Sequence, residues 1–337
     1  MYPEADQIKT ILGTASTIVI VQADNPDADS LGSALALEYI LGDMGKQPYM
    51  YCAVDIPDYL HYLNGWDRVQ KDLPSQFDAS IIVDASTLTL FEKLANSGQQ
   101  GWLASKPCIV LDHHEVVENP ISFATVSIVD HQRASAGELI YLIAKQLDWP
   151  MSADAQGYLM NSILGDTQGL TNQLASAETY RIMAEMIDAG VSRTQLEEQR
   201  REYSKMAQVI FKYKAELINR TRFDAGGSIA SVDIPQSEIN EYSPLYNPAP
   251  LIQNDMLQTV GVRLTIVFKH YDDGRVTAAI RAANDAPVAA QLAEEFGGGG
   301  HAYAAGFKDT SGKPFEEIRD RCLSKATELL AKLVAES

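Results

Sequence analysis

Three short apolar runs set the frame of this chain: Thr17–Ala23, Ala79–Asp84 and Pro107–Leu111. Each is rich in Ile and Val, and Pro48–Val54 adds a fourth strand candidate. Between and after them lie stretches with helical spacing of apolar residues, at Ser30–Met44, Ser135–Leu147, Ala153–Leu164 and Ser176–Ala189. Strands alternating with helices predict an α/β fold, a mostly parallel sheet with helices on both faces. In such sheets ligands collect beyond the carboxyl ends of the strands.

The second half has a different texture. Ser192 to Arg222 is charged and free of both proline and glycine, which predicts one long helix. Beyond it Ser228–Ile234 and Val260–Ala283 read as strands, the latter folded into a hairpin about Asp272-Asp273-Gly274. A helix at Val288–Phe296, a glycine run and an amphipathic helix at Pro314–Ala335 complete the chain. At 337 residues two domains are expected. The boundaries read as 1–190 for the first, 191–222 for a helical linker, and 223–337 for a smaller α/β domain with a mixed sheet.

Charge narrows the partners. With 27 Lys and Arg against 45 Asp and Glu, the net charge is -18. That disfavours broad binding to duplex nucleic acid or to an anionic membrane, and leaves room for a small anion held by bound cations. No apolar run is long enough to span a bilayer, and MYPEADQIKT lacks the pattern of a secretory signal. The three cysteines, Cys52, Cys108 and Cys322, show no metal-type spacing and no disulfide framework. A cytoplasmic protein is expected.

The acids are placed with a pattern. Asp27 and Asp29 follow the first strand, Asp84 ends the third, and Asp112-His113-His114 ends the fourth. Asp166 follows a helix in LGDTQG. If the strands are parallel neighbours, these groups converge on one edge of the sheet. Carboxylates with one or two imidazoles suit Mn²⁺ or Mg²⁺ better than zinc. Two such ions can activate water and brace a phosphoryl group undergoing displacement. Each residue also has a structural reading: Asp29 or Ser30 could cap a helix at Leu31, Asp84 could be an ordinary loop residue, and His113-His114 could be structural. The recurrence in four places favours a metal site.

NPDADSLGS, IIVDAS, LDHHE and LGDTQG, in this order, resemble the four motifs of the DHH phosphoesterase superfamily. GGGGHAYAAGF at Gly297–Phe307 looks like the signature of the C-terminal domain that accompanies DHH domains in RecJ-like nucleases and nanoRNA-degrading enzymes. The resemblance covers essentially the whole chain. It implies a second ion held by Asp29, Asp84, His113 and Asp166, and a first held by Asp27 and the bridging Asp84. His114 would face the substrate phosphate, and Asp112 would orient an imidazole. Arg281 with Gly298, Gly299, Gly300 and His301 would hold a phosphate or terminal nucleotide, because glycines let backbone N–H groups approach an anion. A flexible turn is the alternative for the glycines, and a strand-edge charge for Arg281.

One residue departs from the pattern. Where the family begins its first motif with histidine, this chain has Ala23. Water, Asp24 or Gln22 could fill the gap, the first ion could bind weakly, or a single ion could be held; weakened binding is the expectation taken here.

The resemblance implies a Mn²⁺-dependent phosphoesterase, with Mg²⁺ as an alternative ion. Its substrates would be short oligonucleotides or small nucleotides: RNA oligomers of a few residues, adenosine 3',5'-bisphosphate, or linear and cyclic dinucleotides. A homodimer is compatible with it. The rival class is a nucleotide sensor or regulatory protein that keeps the pocket without turnover. An exopolyphosphatase-like hydrolase is a third reading, and a family II pyrophosphatase ranks low because its second domain lacks GGGGH. Tyr242, Tyr246 and Tyr303 are candidates for stacking on a base, against packing or surface roles.

Overall fold

The computed structural model describes residues 1–114, 119–243 and 245–336. The chain divides into two compact units, Met1–Lys205 and Met206–Ser337.

The first unit runs α1 (Ala5–Thr14), β1 (Thr17–Val21), α2 (Ala28–Asp43), β2 (Gln47–Tyr51), β3 (Ala79–Val83), α3 (Glu92–Asn96) and α4 (Gln100–Ala104). It continues with β4 (Cys108–Asp112), β5 (Val126–Val129), α5 (Ala136–Gln146), α6 (Ala153–Asp166), α7 (Ala177–Asp188) and α8 (Arg193–Tyr203). Its sheet has the order β2-β1-β3-β4-β5, and every pair is parallel. Parallel strands are buried on both faces. Ile18, Ile20, Ile81, Val83, Ile109 and Leu111 pack with Leu31, Leu35, Leu139 and Ile163 from α2, α5 and α6. Val19, Val21, Ile82 and Val110 meet Phe77, Phe91, Leu94 and Leu103 on the opposite face. The expected parallel sheet with helices on both faces is what the first unit contains. Its N-terminal helix α1 and edge strand β5 do not stand out in the sequence.

α2 and α6 pack backbone to backbone. A Cβ on Gly32 would lie 2.9 Å from the carbonyl O of Tyr158, and one on Gly165 would lie 2.8 Å from the Cβ of Ala28. These two glycines set how near α6 brings its C-terminal residue, Asp166, to the start of α2.

The second unit comprises α9 (Gln208–Arg220), β6 (Arg222–Asp224), β7 (Ile229–Pro235), α10 (Gln236–Tyr242), α11 (Pro248–Leu257) and β8 (Leu264–His270). After these come β9 (Val276–Ala282), α12 (Ala289–Glu294), β10 (Gly299–His301), β11 (Ala304–Asp309) and α13 (Phe315–Glu336). The six strands lie in the order β10-β11-β9-β8-β7-β6. Only β7 and β8 run parallel, so the sheet is mixed, as expected. Residues of α12 and α13 cover one face, those of α9, α10 and α11 the other.

The segment read as one long connecting helix is two helices. α8 ends with Ser204 as its cap, and Ala207 is extended (φ -61°, ψ 149°) before α9 begins. α8 buries no residue fully, whereas α9 buries Ile210, Tyr213 and Leu217 in the second unit. The two helices therefore belong to different units. Absence of proline and glycine permits a helix but does not require it to be continuous.

Candidate metal centre

The site begins with strand register. Val21 of β1 pairs with Ile82 of β3, and Val83 pairs with Leu111 of β4. The three strands thus end side by side, and the loops bearing Asp27, Asp84 and His113 leave along one edge. Asp84 adopts a left-handed backbone, φ 57°, while its N–H still donates to the carbonyl of Leu111 at 2.9 Å. For a non-glycine residue this conformation is uncommon, and Asp and Asn tolerate it best.

Asp27, not Asp29 or Ser30, caps α2. Its Oδ1 accepts from the backbone N–H groups of Asp29 (3.0 Å) and Ser30 (2.9 Å), and the Ser30 hydroxyl accepts from the Asp27 N–H at 2.9 Å. This reciprocal capping box starts the helix at Ala28, two residues earlier than the apolar spacing suggests. It frees Asp29 for a different role. Fully buried, Asp29 accepts from the N–H of Ala136 (2.7 Å) and Gly137 (3.3 Å) at the start of α5. The hydroxyls of Ser33 (3.0 Å) and Ser162 (2.6 Å) donate to it as well.

Around His113 the predicted donors converge. Its Nε2 lies 3.0 Å from Asp166 Oδ2, 3.4 Å from Asp29 Oδ2 and 3.5 Å from Asp84 Oδ1. Donor atoms of Asp29, His113 and Asp166 form one group within 4.8 Å of one another, and those of Asp84, His113 and His114 form another. Asp27 stands outside both groups. Asp166 is the last residue of α6 rather than a loop residue, so its charge faces the negative end of a helix dipole.

The ring of His113 is fixed from behind. Its Nδ1 lies 3.2 Å from the carbonyl O of Arg133, which can only accept, so the proton sits on Nδ1 and the lone pair of the neutral ring on Nε2. Arg133 in turn contacts Asp130, Glu138 and Glu178. Asp112 serves the other imidazole: its Oδ1 is 2.7 Å from Nδ1 of the half-exposed His114, and the Ser86 hydroxyl donates to its Oδ2. Ser33, Ser162, Arg133 and Ser86 are supporting residues that motif reading does not single out. Only Ser33 carries a signal, four residues after Asp29 on the same helix face.

Electrostatics show a cluster of like charges held together by one imidazole. Burial, and then the charge of Asp29, hold Asp84 well above the usual carboxylate range. Burial likewise pushes Asp166 up to about 6, against the pull of the His113 ring beside it. Burial opposes a charge on His113, but Asp166 and Asp84 outweigh it and push the ring up to about 11. Asp27 is raised, again mainly by burial. For Asp112 the hydrogen bonds from His114 and Ser86 overcome burial and lower it.

These residues fit a divalent cation. Asp84 Oδ1 and His113 Nε2 are both buried with no hydrogen-bond partner among the described residues. As ligand atoms both are electron-pair donors, a carboxylate oxygen and an imidazole nitrogen, and burying two such atoms unpartnered is costly unless a cation sits between them. The donors are hard oxygens with imidazole and no thiolate, a set that favours Mn²⁺ or Mg²⁺.

At the departing position, Ala23 is 4% exposed and packs on the face of Val19 and Val21. Its carbonyl accepts from the Cys52 thiol at 3.3 Å. Asp24 is anchored by one oxygen, Oδ2, which accepts from the Lys93 N–H at 2.7 Å in the first turn of α3, while its Oδ1 is buried with no hydrogen-bond partner among the described residues. Gln22 continues the strand by donating its N–H to the Tyr51 carbonyl, and so lies on the face opposite Ala23.

In the second unit the glycine run forms a tight hairpin rather than a loose turn. A Cβ on Gly298 would lie 2.2 Å from the Gly306 carbonyl, and Gly300 has φ 140° with the Ala304 carbonyl 2.6 Å from its would-be Cβ. Gly299 and His301 pair with Gly306 and Ala304, and Ala304 pairs with Arg281 on β9. His301 and Arg281 therefore flank Ala304 in one cross-strand row, and both are exposed. Of the three tyrosines, Tyr242 stacks on Tyr213 with centroids 3.8 Å apart, a packing role. Tyr246 and Tyr303 are exposed.

Comparison with known proteins adds a match to one family model. Residues 17–165 match the DHH family, N-terminal domain. An uncharacterized protein of Mycoplasma pneumoniae, the MG371 homolog, is 25% identical over 313 residues, covering 89% of this chain and 90% of its own. The bifunctional oligoribonuclease and PAP phosphatase NrnA of Bacillus subtilis is 24% identical over 307 residues, covering 90% and 92%. Among solved structures, an exopolyphosphatase-related protein of Bacteroides fragilis shares the fold. Its TM-score is 0.79 at 20% identity, with 97% of each chain covered.

Proposed function

We propose that this chain, whose residues 17–165 match the DHH family, N-terminal domain, is a phosphoesterase acting on short oligonucleotides or small nucleotides with the help of Mn²⁺. The observation that carries the reading is the buried pair His113 Nε2 and Asp84 Oδ1, unpartnered between Asp29 and Asp166. Asp29, Asp84, His113 and Asp166 would hold the cation, with Asp27 at a second, weaker position. A bound ion would lower the pKa of water and offset charge on the phosphoryl oxygens.

The chain's own groups supply the rest. The carbonyl of Arg133 keeps the His113 proton on Nδ1 and its lone pair toward the carboxylates. Asp112 holds His114 by Nδ1 and raises its pKa, so that the half-exposed ring, when protonated at both nitrogens, can donate from Nε2 to a phosphoryl oxygen. In the second unit, the row of His301 and Arg281 beside the glycine hairpin is suited to a terminal phosphate. The oligoribonuclease and PAP phosphatase activities named for the Bacillus subtilis relative support this substrate class.

The test is hydrolysis of a 5'-labelled dinucleotide by the purified full chain with Mn²⁺. Release of mononucleotide by the wild type and its loss in Asp84→Ala are expected; equal turnover by the variant overturns the assignment. A second reading, a nucleotide sensor, is favoured by Ala23 alone. Tight nucleotide binding with no hydrolysis under any divalent ion would select it.

A further inference from the structure

A cavity of about 490 Å³ opens in the first unit beside the carboxylate cluster, and none of the proposed metal-holding side chains lines it. Its wall shares two segments with that cluster. Ala28 lies between Asp27 and Asp29, and Gly165 directly precedes Asp166, so immediate neighbours of the cluster's residues line the cavity. The remaining wall includes Tyr59, Tyr62, Gln168, Arg193 and Arg200.

The chemistry of this wall is specific. Arg200 is neutralised by Glu197, with Nε and Nη2 at 3.0 and 2.9 Å from its carboxylate oxygens. Arg193 makes no ion pair among the described residues, which is notable in a chain with net charge -18. Tyr59 is 64% exposed, its hydroxyl donating at 3.3 Å to the carbonyl of Pro26 in the first motif. Two phenol rings offer faces for a planar heterocycle. An unpaired guanidinium offers a fork for phosphate oxygens. The volume falls within the roughly 300–1,000 Å³ typical of small-molecule sites.

We propose that this cavity is a nucleotide subsite, taking the nucleotide unit next to the phosphoester at the carboxylate cluster, with its base against Tyr59 and Tyr62 and its own phosphate on Arg193. This rests on the phosphoesterase reading and adds to it a binding site built from residues that hold no cation. Specificity is then set partly within the metal-holding unit, not by the glycine hairpin alone.

The experiment is equilibrium binding of AMP and of adenosine to the full-length protein in EDTA, read by calorimetry without turnover. AMP should bind about tenfold or more tightly than adenosine, and Arg193→Ala should erase that difference. Tyr59→Ala should weaken both ligands. Both residues are exposed, so folding is not at stake. AMP affinity unchanged in both variants overturns the subsite, even if the enzyme hydrolyses dinucleotides. Conversely, Arg193-dependent AMP binding in a protein without hydrolytic activity keeps the subsite and removes the phosphoesterase reading.

Discussion

One oxygen of Asp29, Oδ2, stands 2.7 Å from the N–H nitrogen of Ala136 and 3.4 Å from Nε2 of His113. The carboxylate thus ties the start of α5 to α2 on one side and faces the candidate metal centre on the other. Four donors converge on it: two backbone N–H groups and two serine hydroxyls. Removing it strands them in a buried site, at about 3 kcal/mol if two are left without water. Asp29→Ala should therefore lower stability by about that much in EDTA, where no metal contributes. Asp29→Asn, which keeps an acceptor, should cost less. Urea unfolding of the metal-free variants measures both; a wild-type midpoint for Asp29→Ala would show that the carboxylate is not an anchor.

Asp84 behaves in the opposite sense. Its Oδ1 has no partner, burial and Asp29 disfavour its charge, and its backbone is left-handed. Asparagine accepts that backbone conformation and carries no charge. Asp84→Asn should leave the metal-free protein as stable as the wild type, or more stable by up to about 1 kcal/mol. The rise in Tm on adding Mn²⁺ should disappear, since that rise depends on binding to the folded state. Thermal melts in EDTA and in Mn²⁺ separate the two effects. A variant destabilised in EDTA would mean that Asp84 holds the fold together rather than waiting for a cation.

How much of this was legible follows from which forces act locally. The strand-end acids and imidazoles could be read because β-rich runs announce themselves, and a parallel arrangement brings their ends together whatever the details of packing. Their supports could not. Ser162 and Arg133 reach the cluster from 133 and 20 residues away from the groups they touch, Asp29 and His113. The cap went to Asp27 because the choice among neighbouring acids depends on backbone torsions, here φ -134° at Asp27, and not on residue type. The break between α8 and α9 was hidden for a related reason. Which core each helix serves is decided by tertiary packing, and helix propensity alone does not mark the change.

Protons compete with a cation for these donors, and the direction is fixed. In the metal-free protein His113 is pushed up to about 11 and Asp166 up to about 6. At pH 7.5 the His113 ring carries a proton that a cation must displace; below about pH 6 Asp166 adds another. Mn²⁺ affinity should thus fall as pH falls, by roughly a decade per pH unit at first and more steeply below pH 6. Titrations between pH 5.5 and 7.5, repeated in buffers of different ionisation enthalpy, count the protons released. Affinity that is flat across this range would show that these groups do not bind the ion.

Ala23 offers the sharpest test of the two-ion arrangement. Counted on from the Val21–Ile82 pair, Ala23 comes level with Asp84 just past the ends of β1 and β3. Asp24 is held at the start of α3 by its Oδ2, and Gln22 lies on the other face of the strand, so neither neighbour takes over by a simple rotation. Ala23→His introduces an imidazole there at an overpacking cost of about 1–3 kcal/mol against Phe91 and Tyr51, members of the same apolar cluster. A cation held between the new ring, Asp27 and Asp84 would offset that cost. The wild type should then show one tight Mn²⁺ and one weak, and Ala23→His should tighten the weak one tenfold or more, about 1.4 kcal/mol. Manganese titration followed by electron paramagnetic resonance reads the stoichiometry directly. Should the variant fold and still bind ions as the wild type does, the missing imidazole is not what weakens the first position, and water or substrate must complete it.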